Sequence, residues 1–314
     1  MTKPIGWSRF FLMGILLLLG GISAVGYSLL RAGLTSQEQS NGLIPDAAWV
    51  GQPASFTGLA SWPSNRERGV YQAKIAQTGK LLWDVRWETN VSRQSDVVQV
   101  KITEEGSGQP LRYNEPIRWE KQMVLSANVG SAGVSPVQFQ SVEGTRWTNA
   151  GELLSRMDVR ADPSRRQILY VDSEGRTTLS RTMAWTPQAF PDELLFHWVR
   201  TLPFDQLQRG GNPLNQRSLQ KECTLILSPT QQFKINARLS RKEEDVNTPA
   251  GTFSCYRVDL VPKLLGPLKS LAPKMALWCT TAAPHYWVRY QGPVGGPGSP
   301  QAVIELVKFE TDSS

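Results

Sequence analysis

From Tyr71 onward, apolar and polar residues alternate with a period of two. In Leu81–Glu88, the residues Trp83, Val85 and Trp87 share one face, and Asp84, Arg86 and Glu88 share the other. In Val97–Thr103, Val98, Val100 and Ile102 alternate with Gln99 and Lys101. Such patterning predicts half-buried antiparallel strands. Glu105-Gly106-Ser107-Gly108 reads as a turn into a third strand, Leu111–Trp119. Further strands are expected near Met123–Asn128, Val137–Val142, Leu154–Arg160, Gln167–Val171 and Thr177–Ser180, with Glu174-Gly175 turning the last hairpin. One helix interrupts the series. Pro191 suits a first helical position, Asp192 and Glu193 suit the N-terminal dipole, and Pro203 stops it. Leu194, Leu195, Trp198, Val199 and Leu202 fall on one face of a 3.6-residue period, so the helix is expected to plug one mouth of a curved sheet. Strands resume at Glu222–Leu227, Phe233–Leu239, Phe253–Leu260, Met275–Thr281, His285–Tyr290 and Ala302–Phe309. The last is apolar on both faces and reads as a central strand. Short strands with turn signals between them predict an all-β fold: a strongly curved antiparallel sheet, barrel or half-barrel, with one short helix.

A different pattern precedes this one. Phe10–Leu30 is 21 residues without a charge, long enough to cross a bilayer as a helix. Lys3 and Arg9 lie before it, which keeps the N-terminus cytoplasmic and sends the rest across. The chain thus divides into a membrane anchor or signal segment (1–31), a Gly/Ser/Pro-rich linker (32–70) and a periplasmic β domain (71–314). An uncleaved anchor in the inner membrane is favoured. Cleavage before Tyr27, leaving a soluble periplasmic protein, is the alternative.

The formal net charge is +7, and three of the basic residues, Lys3, Arg9 and Arg31, belong to the first segment. The remaining basic residues are scattered, which excludes a nucleic-acid signature. Cys223, Cys255 and Cys279 all lie in strand-like runs. An oxidising compartment allows one disulfide; Cys255–Cys279 is preferred because their strands are close in sequence, with Cys223 and either partner as the rival. No CxxC or HxxxH spacing occurs and there are two histidines, so no metal site and no cofactor is expected.

Three stretches carry a resemblance. TPAGTFSCYRV at Thr248–Val258 looks like a run shared by a bacterial family of exported proteins known only as a domain of unknown function. ALWCTTAAPHYWVRYQGP at Ala276–Pro293, followed by IELVKFE at Ile304–Glu310, is similar to that family's closing hairpin, and RTLP at Arg200–Pro203 fits its helix end. The resemblance is clearest over 190–312. It implies a strongly curved antiparallel sheet like the half-barrels of periplasmic lipoprotein carriers, and no catalytic residue set.

Candidate chemistry is sparse. No GxSxG elbow exists, and the Gly292–Gly298 loop lacks the Lys-Ser/Thr of a P-loop. Glu243-Glu244-Asp245 reads as a solvated hairpin tip. On an extended strand, His285, Trp287 and Arg289 would form a row suited to an anionic head group. Trp83, Trp87, Tyr113, Trp119 and Trp147 are expected to line the concave side of the sheet, as core or as a greasy cavity. The expectation is a non-enzymatic envelope protein that binds a hydrophobic or amphiphilic ligand, a lipid or glycan, on that face. The alternatives are a scaffold or assembly factor contacting envelope proteins, and a hydrolase with an unseen carboxylate pair.

Overall fold

The computed structural model describes residues 66–94, 96–111, 113–130, 133–134, 137–186, 188–204, 207, 219–263, 273–294 and 299–311. The Phe10–Leu30 segment and the linker up to residue 65 lie outside the described residues. Among those described, no helix is long and apolar enough to cross a membrane.

The expected all-β architecture is present. The strands are β1 (Arg66–Ile75), β2 (Leu81–Gln94), β3 (Val97–Gly108), β4 (Ile117–Gly130), β5 (Gly133–Val134), β6 (Gln138–Thr148), β7 (Leu153–Asp162), β8 (Gln167–Glu174) and β9 (Thr177–Ala184). After these come β10 (Ala189–Pro191), a 3-10 turn at Asp192–Leu194 and helix α1 (Leu195–Val199). The chain then continues through β11 (Gln220–Ser228), β12 (Gln231–Thr248), β13 (Gly251–Pro262), β14 (Met275–Thr280), β15 (Trp287–Pro293) and β16 (Gln301–Thr311). β1 begins five residues before Tyr71, inside the expected linker.

All strands belong to one sheet, ordered β10-β11-β12-β13-β14-β15-β16-β1-β2-β3-β4-β6-β7-β8-β9, with β5 paired to β4. Among the described residues, only β10–β11 is a parallel pair. β16 is central, between β15 and β1, as its two apolar faces predict. The sheet's two end strands, β9 and β10, are consecutive in sequence. Residues 185–188 join them, so the ends lie within about 18 Å of each other. The sheet therefore curls almost fully round. Across the seam, Gln232 on β12 donates to the Met183 sulfur on β9 at 2.7 Å.

The helical segment packs against the inside of the sheet. His197 and Arg200, off the predicted apolar face, are as buried as Leu194, Leu195, Trp198 and Val199. Its contacts reach four strands, β13, β15, β1 and β2. His197 meets Trp87 of β2 edge-on, Phe196 packs on Trp287 and Tyr290 of β15, Arg200 pairs with Glu67 of β1, and Phe204 stacks near Tyr256 of β13. Burial of polar as well as apolar positions goes beyond the single stripe of a surface helix. After α1 the turns tighten to i→i+3 bonds, Arg200 N–H to His197 O and Thr201 N–H to Trp198 O.

The disulfide expected between Cys255 and Cys279 is not formed, and all three cysteines are buried thiols. The register sets Cys255 opposite Thr280 and Cys279 opposite Tyr256. Successive residues point to opposite faces, so the two thiols leave the sheet on opposite sides and cannot bridge. Burial pushes Cys223 and Cys255 up to about 12 and Cys279 up as well, which leaves them unreactive.

Candidate functional site

Reading the ladder across β3, β4, β6, β7 and β8 gives three inward-facing rows. The first is Ile102, Met123, Val142, Val159 and Tyr170, fully buried and apolar but for the phenol. The second is Glu104, Lys121, Gly144, Met157 and Asp172. The third is Gly106, Trp119, Arg146, Ser155 and Glu174. Charge thus enters the concave face one row above an apolar floor.

The belt is tied together. Lys121 Nζ lies 3.1 Å from Glu104 Oε1, and Trp119 Nε1 donates to the same oxygen at 2.9 Å. Arg146 donates to Ser155 Oγ at 3.2 Å. Gly144 leaves room for the Lys121 stem, whose Cγ would lie 3.4 Å from an added Cβ. The Trp119 ring lies over Gly106, where a Cβ would fall 2.1 Å from Cζ2, and Trp83 meets Trp119 edge-on at 6.1 Å.

The interior segment brings two more carboxyls. Burial raises Asp192 well above the ordinary carboxylate range; the Glu193 charge and a hydrogen bond between the two side chains add to this, and Lys121 opposes it. Burial works against the Lys121 ammonium, but Glu104 and Glu193 outweigh it and hold its pKa above the ordinary value. Burial, together with Glu193, Asp172 and Asp192, raises the Tyr170 phenol. Lys121, Tyr170, Asp192 and Glu193 therefore share one space. Asp192 is nonetheless exposed to solvent, and Glu104 and Lys121 keep 19% and 17% of their side-chain surface. Water therefore reaches this charged belt. At its β9 side, inward-facing Leu179 is 52% exposed and Arg181 is exposed too.

Beside the belt, several polar atoms at the boundary with the interior segment are buried without a hydrogen-bond partner: Glu193 Oε2, His197 Nδ1, Thr89 Oγ1 and Trp287 Nε1. Deeper still, Arg200 holds Glu67 through two bonds, Nη1 to Oε2 at 2.8 Å and Nη2 to Oε1 at 3.1 Å, with side-chain exposures of 2% and 0%. Among the described residues, no three His, Cys, Asp or Glu side chains converge as a metal ion requires.

The sequence-expected site divides. Trp83, Trp87 and Trp119 face inward; Trp87 and Trp287 stack on opposite sides of the buried Tyr71, at 6.1 and 3.8 Å. Tyr113 sits in the β3–β4 loop, packed partly against the core. Trp147 lies opposite exposed Arg118, in the outward phase. The row of His285, Trp287 and Arg289 does not exist. His285 precedes β15 with φ 54°, is buried against Phe204 at 4.6 Å, and its Nδ1 lies 2.9 Å from the Thr280 carbonyl oxygen. A register shift opposite Val288 then turns Trp287 inward and Arg289 outward, where it pairs with Glu305. The residues missed were Glu104, Lys121, Arg146, Asp172, Asp192 and Glu193. For the four on strands the signal was a polar residue in the apolar phase; Asp192 and Glu193 lie in the 3-10 turn and carried none of this kind.

Gly106→Ala tests the packing under the belt. The methyl must displace the Trp119 ring, so a loss of about 1–3 kcal/mol is expected in urea unfolding. Gly144→Ala, whose Cβ meets nothing closer than 3.4 Å, should be nearly neutral. Equal losses at the two positions would refute this account of the belt.

No family model and no curated protein matches the chain. Among solved structures, it is similar to a β-barrel-like protein of domain of unknown function DUF1849 from Brucella abortus, at 9% identity and a TM-score of 0.43, over 79% of this chain and 98% of that one. It is also similar to a protein described as exported, with a YmcC-like fold, from Bacteroides fragilis, at 13% identity and a TM-score of 0.34, over 78% and 95%. A third likeness is to a protein described as a lipoprotein from Parabacteroides distasonis, at 10% identity and a TM-score of 0.33, over 79% and 96%.

Proposed function

We propose that this chain is a non-enzymatic cell-envelope protein that holds an amphiphilic ligand in the cleft between the interior helical segment and strands β2–β4 and β6–β9. One observation carries the reading: the inward-facing pair Glu104 and Lys121 keeps 19% and 17% of its side-chain surface, and Asp192 is exposed, so solvent reaches a charged part of the concave face. Its lining changes from apolar at Ile102, Met123 and Val142 to charged at Glu104 and Lys121 within a single row. That gradient fits a molecule with a greasy part and a polar head. The uncharged Phe10–Leu30 run with Lys3 and Arg9 before it supports an envelope address, anchored in the inner membrane with the β domain in the periplasm.

The test is native mass spectrometry of the full-length protein extracted from its own membranes. A lipid or glycolipid retained at one per chain is expected. A clean apo mass, unchanged by added envelope lipids, would sink the reading and favour protein contacts along the exposed β9 edge instead.

A hydrolase is the second reading, and the hydrogen-bonded Asp192–Glu193 pair is what favours it. Two carboxyls in contact leave no room for a glycosidic bond between them, which needs about 5 Å or more. A proton-sharing pair could still activate a water. A bound ligand that shortens on incubation, and stays intact with Asp192→Asn, would support this reading.

A further inference from the structure

We infer that the polar end of the cleft is a subsite for a sugar head group, an uncharged ring rich in hydroxyls. The inference rests on the ligand-binding reading above and names the chemistry of its polar half. Three features of the lining point the same way.

The first is the mixture of donors and acceptors. Lys121, Arg146 and the Ser155 hydroxyl stand among Glu104 and Asp172 within two adjacent rows, with Glu193 on the interior segment near Lys121. A sugar hydroxyl both donates and accepts, so each such neighbour can be used. A phosphate or carboxylate head only accepts. It would meet the two cations but sit against three carboxylates, and like charges in a partly dry cleft repel. A simple ammonium head has the converse conflict with Lys121 and Arg146.

The second is the missing donor. Glu193 Oε2 is buried without a hydrogen-bond partner at the boundary of the cleft. A buried carboxylate oxygen left in this way is costly and calls for a donor. A small rotation of Glu193 toward wetted Asp192 would offer that oxygen to a hydroxyl.

The third is the aromatic wall. Trp119 is fixed by its bond to Glu104 and by the glycine beneath it, and Trp83 stands edge-on to it while remaining half-buried. The half-buried Trp83 ring, held edge-on by buried Trp119, is the indole that can take the apolar C–H face of a pyranose, whose edge hydroxyls then reach the charged groups.

The test uses the full-length protein in a polyoxyethylene detergent, with binding read by native mass spectrometry and by tryptophan fluorescence. Octyl β-glucoside, octyl phosphate and octylammonium share a tail and differ in the head. Octyl β-glucoside is expected to bind at least about tenfold tighter than the other two. Lys121→Gln and, as a second variant on a different strand, Arg146→Gln should each weaken the glucoside by about tenfold. Methyl β-glucoside separates the sources: weak binding marks a lipid-borne sugar, and binding equal to the octyl compound marks a free glycan, both within the proposal. Equal affinity for all three octyl compounds, or tighter binding of octyl phosphate or octylammonium, would overturn the sugar subsite while the ligand-binding reading stands. Failure of every octyl compound to bind would remove both.

Discussion

Replacing Arg200 with methionine is expected to lower the stability of the fold by about 3–5 kcal/mol, because it leaves the Glu67 carboxylate buried with no counter-charge. The pair is fully enclosed, so solvent cannot take over what the guanidinium supplies. Arg200 also donates to the Pro284 carbonyl, with contacts of 3.4 and 3.3 Å, which ties the interior segment to the loop carrying His285. Glu67 sits on β1, at the middle of the sheet order, and Arg200 lies just past α1. The one bridge therefore fastens the interior segment to the centre of the wall around it. Removing both partners with Glu67→Leu and Arg200→Met should cost clearly less than Arg200→Met alone, since an apolar pair carries no unpaired charge. Thermal and urea unfolding of the three variants measures this. A loss below about 1 kcal/mol for Arg200→Met would match an exposed ion pair and contradict the enclosed geometry.

The errors of the sequence reading fall where the site lies. Val98, Val100, Ile102 and Trp83, Val85, Trp87 alternate cleanly, and β2 and β3 were legible from them. Glu104-Glu105-Gly106 looks like the end of a strand, yet β3 runs on to Gly108 with Glu104 facing inward. Glu120-Lys121-Gln122 looks like a gap between two strands, yet β4 is continuous from Ile117 to Gly130 with Lys121 facing inward. In both cases a charge in the apolar phase breaks the period on which the reading depends. Local rules are expected to fail at functional positions, where a polar group is kept inside despite its cost. The gaps in the pattern were the belt.

Other misses have plainer causes. Glu243-Glu244-Asp245 reads as a tip because it is acidic. It is strand, with Tyr256 O–H donating to Glu243 at 3.0 Å on the face that meets Phe204 and Trp278 Nε1 donating to Glu244 at 2.9 Å on the opposite face. A bulge leaves no mark in composition, so the facing of Trp287 and Arg289 could not be read. The closing of the sheet is a matter of long-range order. Nothing in Trp185 or Gln188 says that the strands they join lie at opposite ends of a fifteen-strand path. The interior helical segment was found by its apolar face, but the burial of its polar positions could not be read, since His197 and Arg200 are residues that usually mark a wet surface.

His197 makes that burial measurable as a dependence of stability on pH. Burial, with Arg200 and Lys121 adding repulsion, lowers its folded pKa to about 3. In the unfolded chain an imidazole titrates near 6.5. Below that pH the unfolded chain takes up a proton that the folded state refuses, so the contribution is complete above 6.5 and is lost as pH falls towards 3. The loss is about 2 kcal/mol by pH 5 and on the order of 4–5 kcal/mol at the lower end. Asp192 acts with the opposite sign. Its raised folded pKa gives a contribution that is complete below about 3.8 and lost as pH rises through the folded value, so it offsets part of the His197 slope. Asp192→Asn should therefore steepen the fall between pH 6.5 and 5. His197→Phe should flatten it, while keeping a ring against Trp87, which His197 meets edge-on at 5.8 Å. Glu88, held near 2 chiefly by Arg66, titrates below this window and does not interfere. Urea unfolding of the full chain at pH steps from 7 to 5 reads the slopes. An unchanged slope in His197→Phe would mean that His197 takes up its proton in the folded state, and would contradict its burial against Trp87.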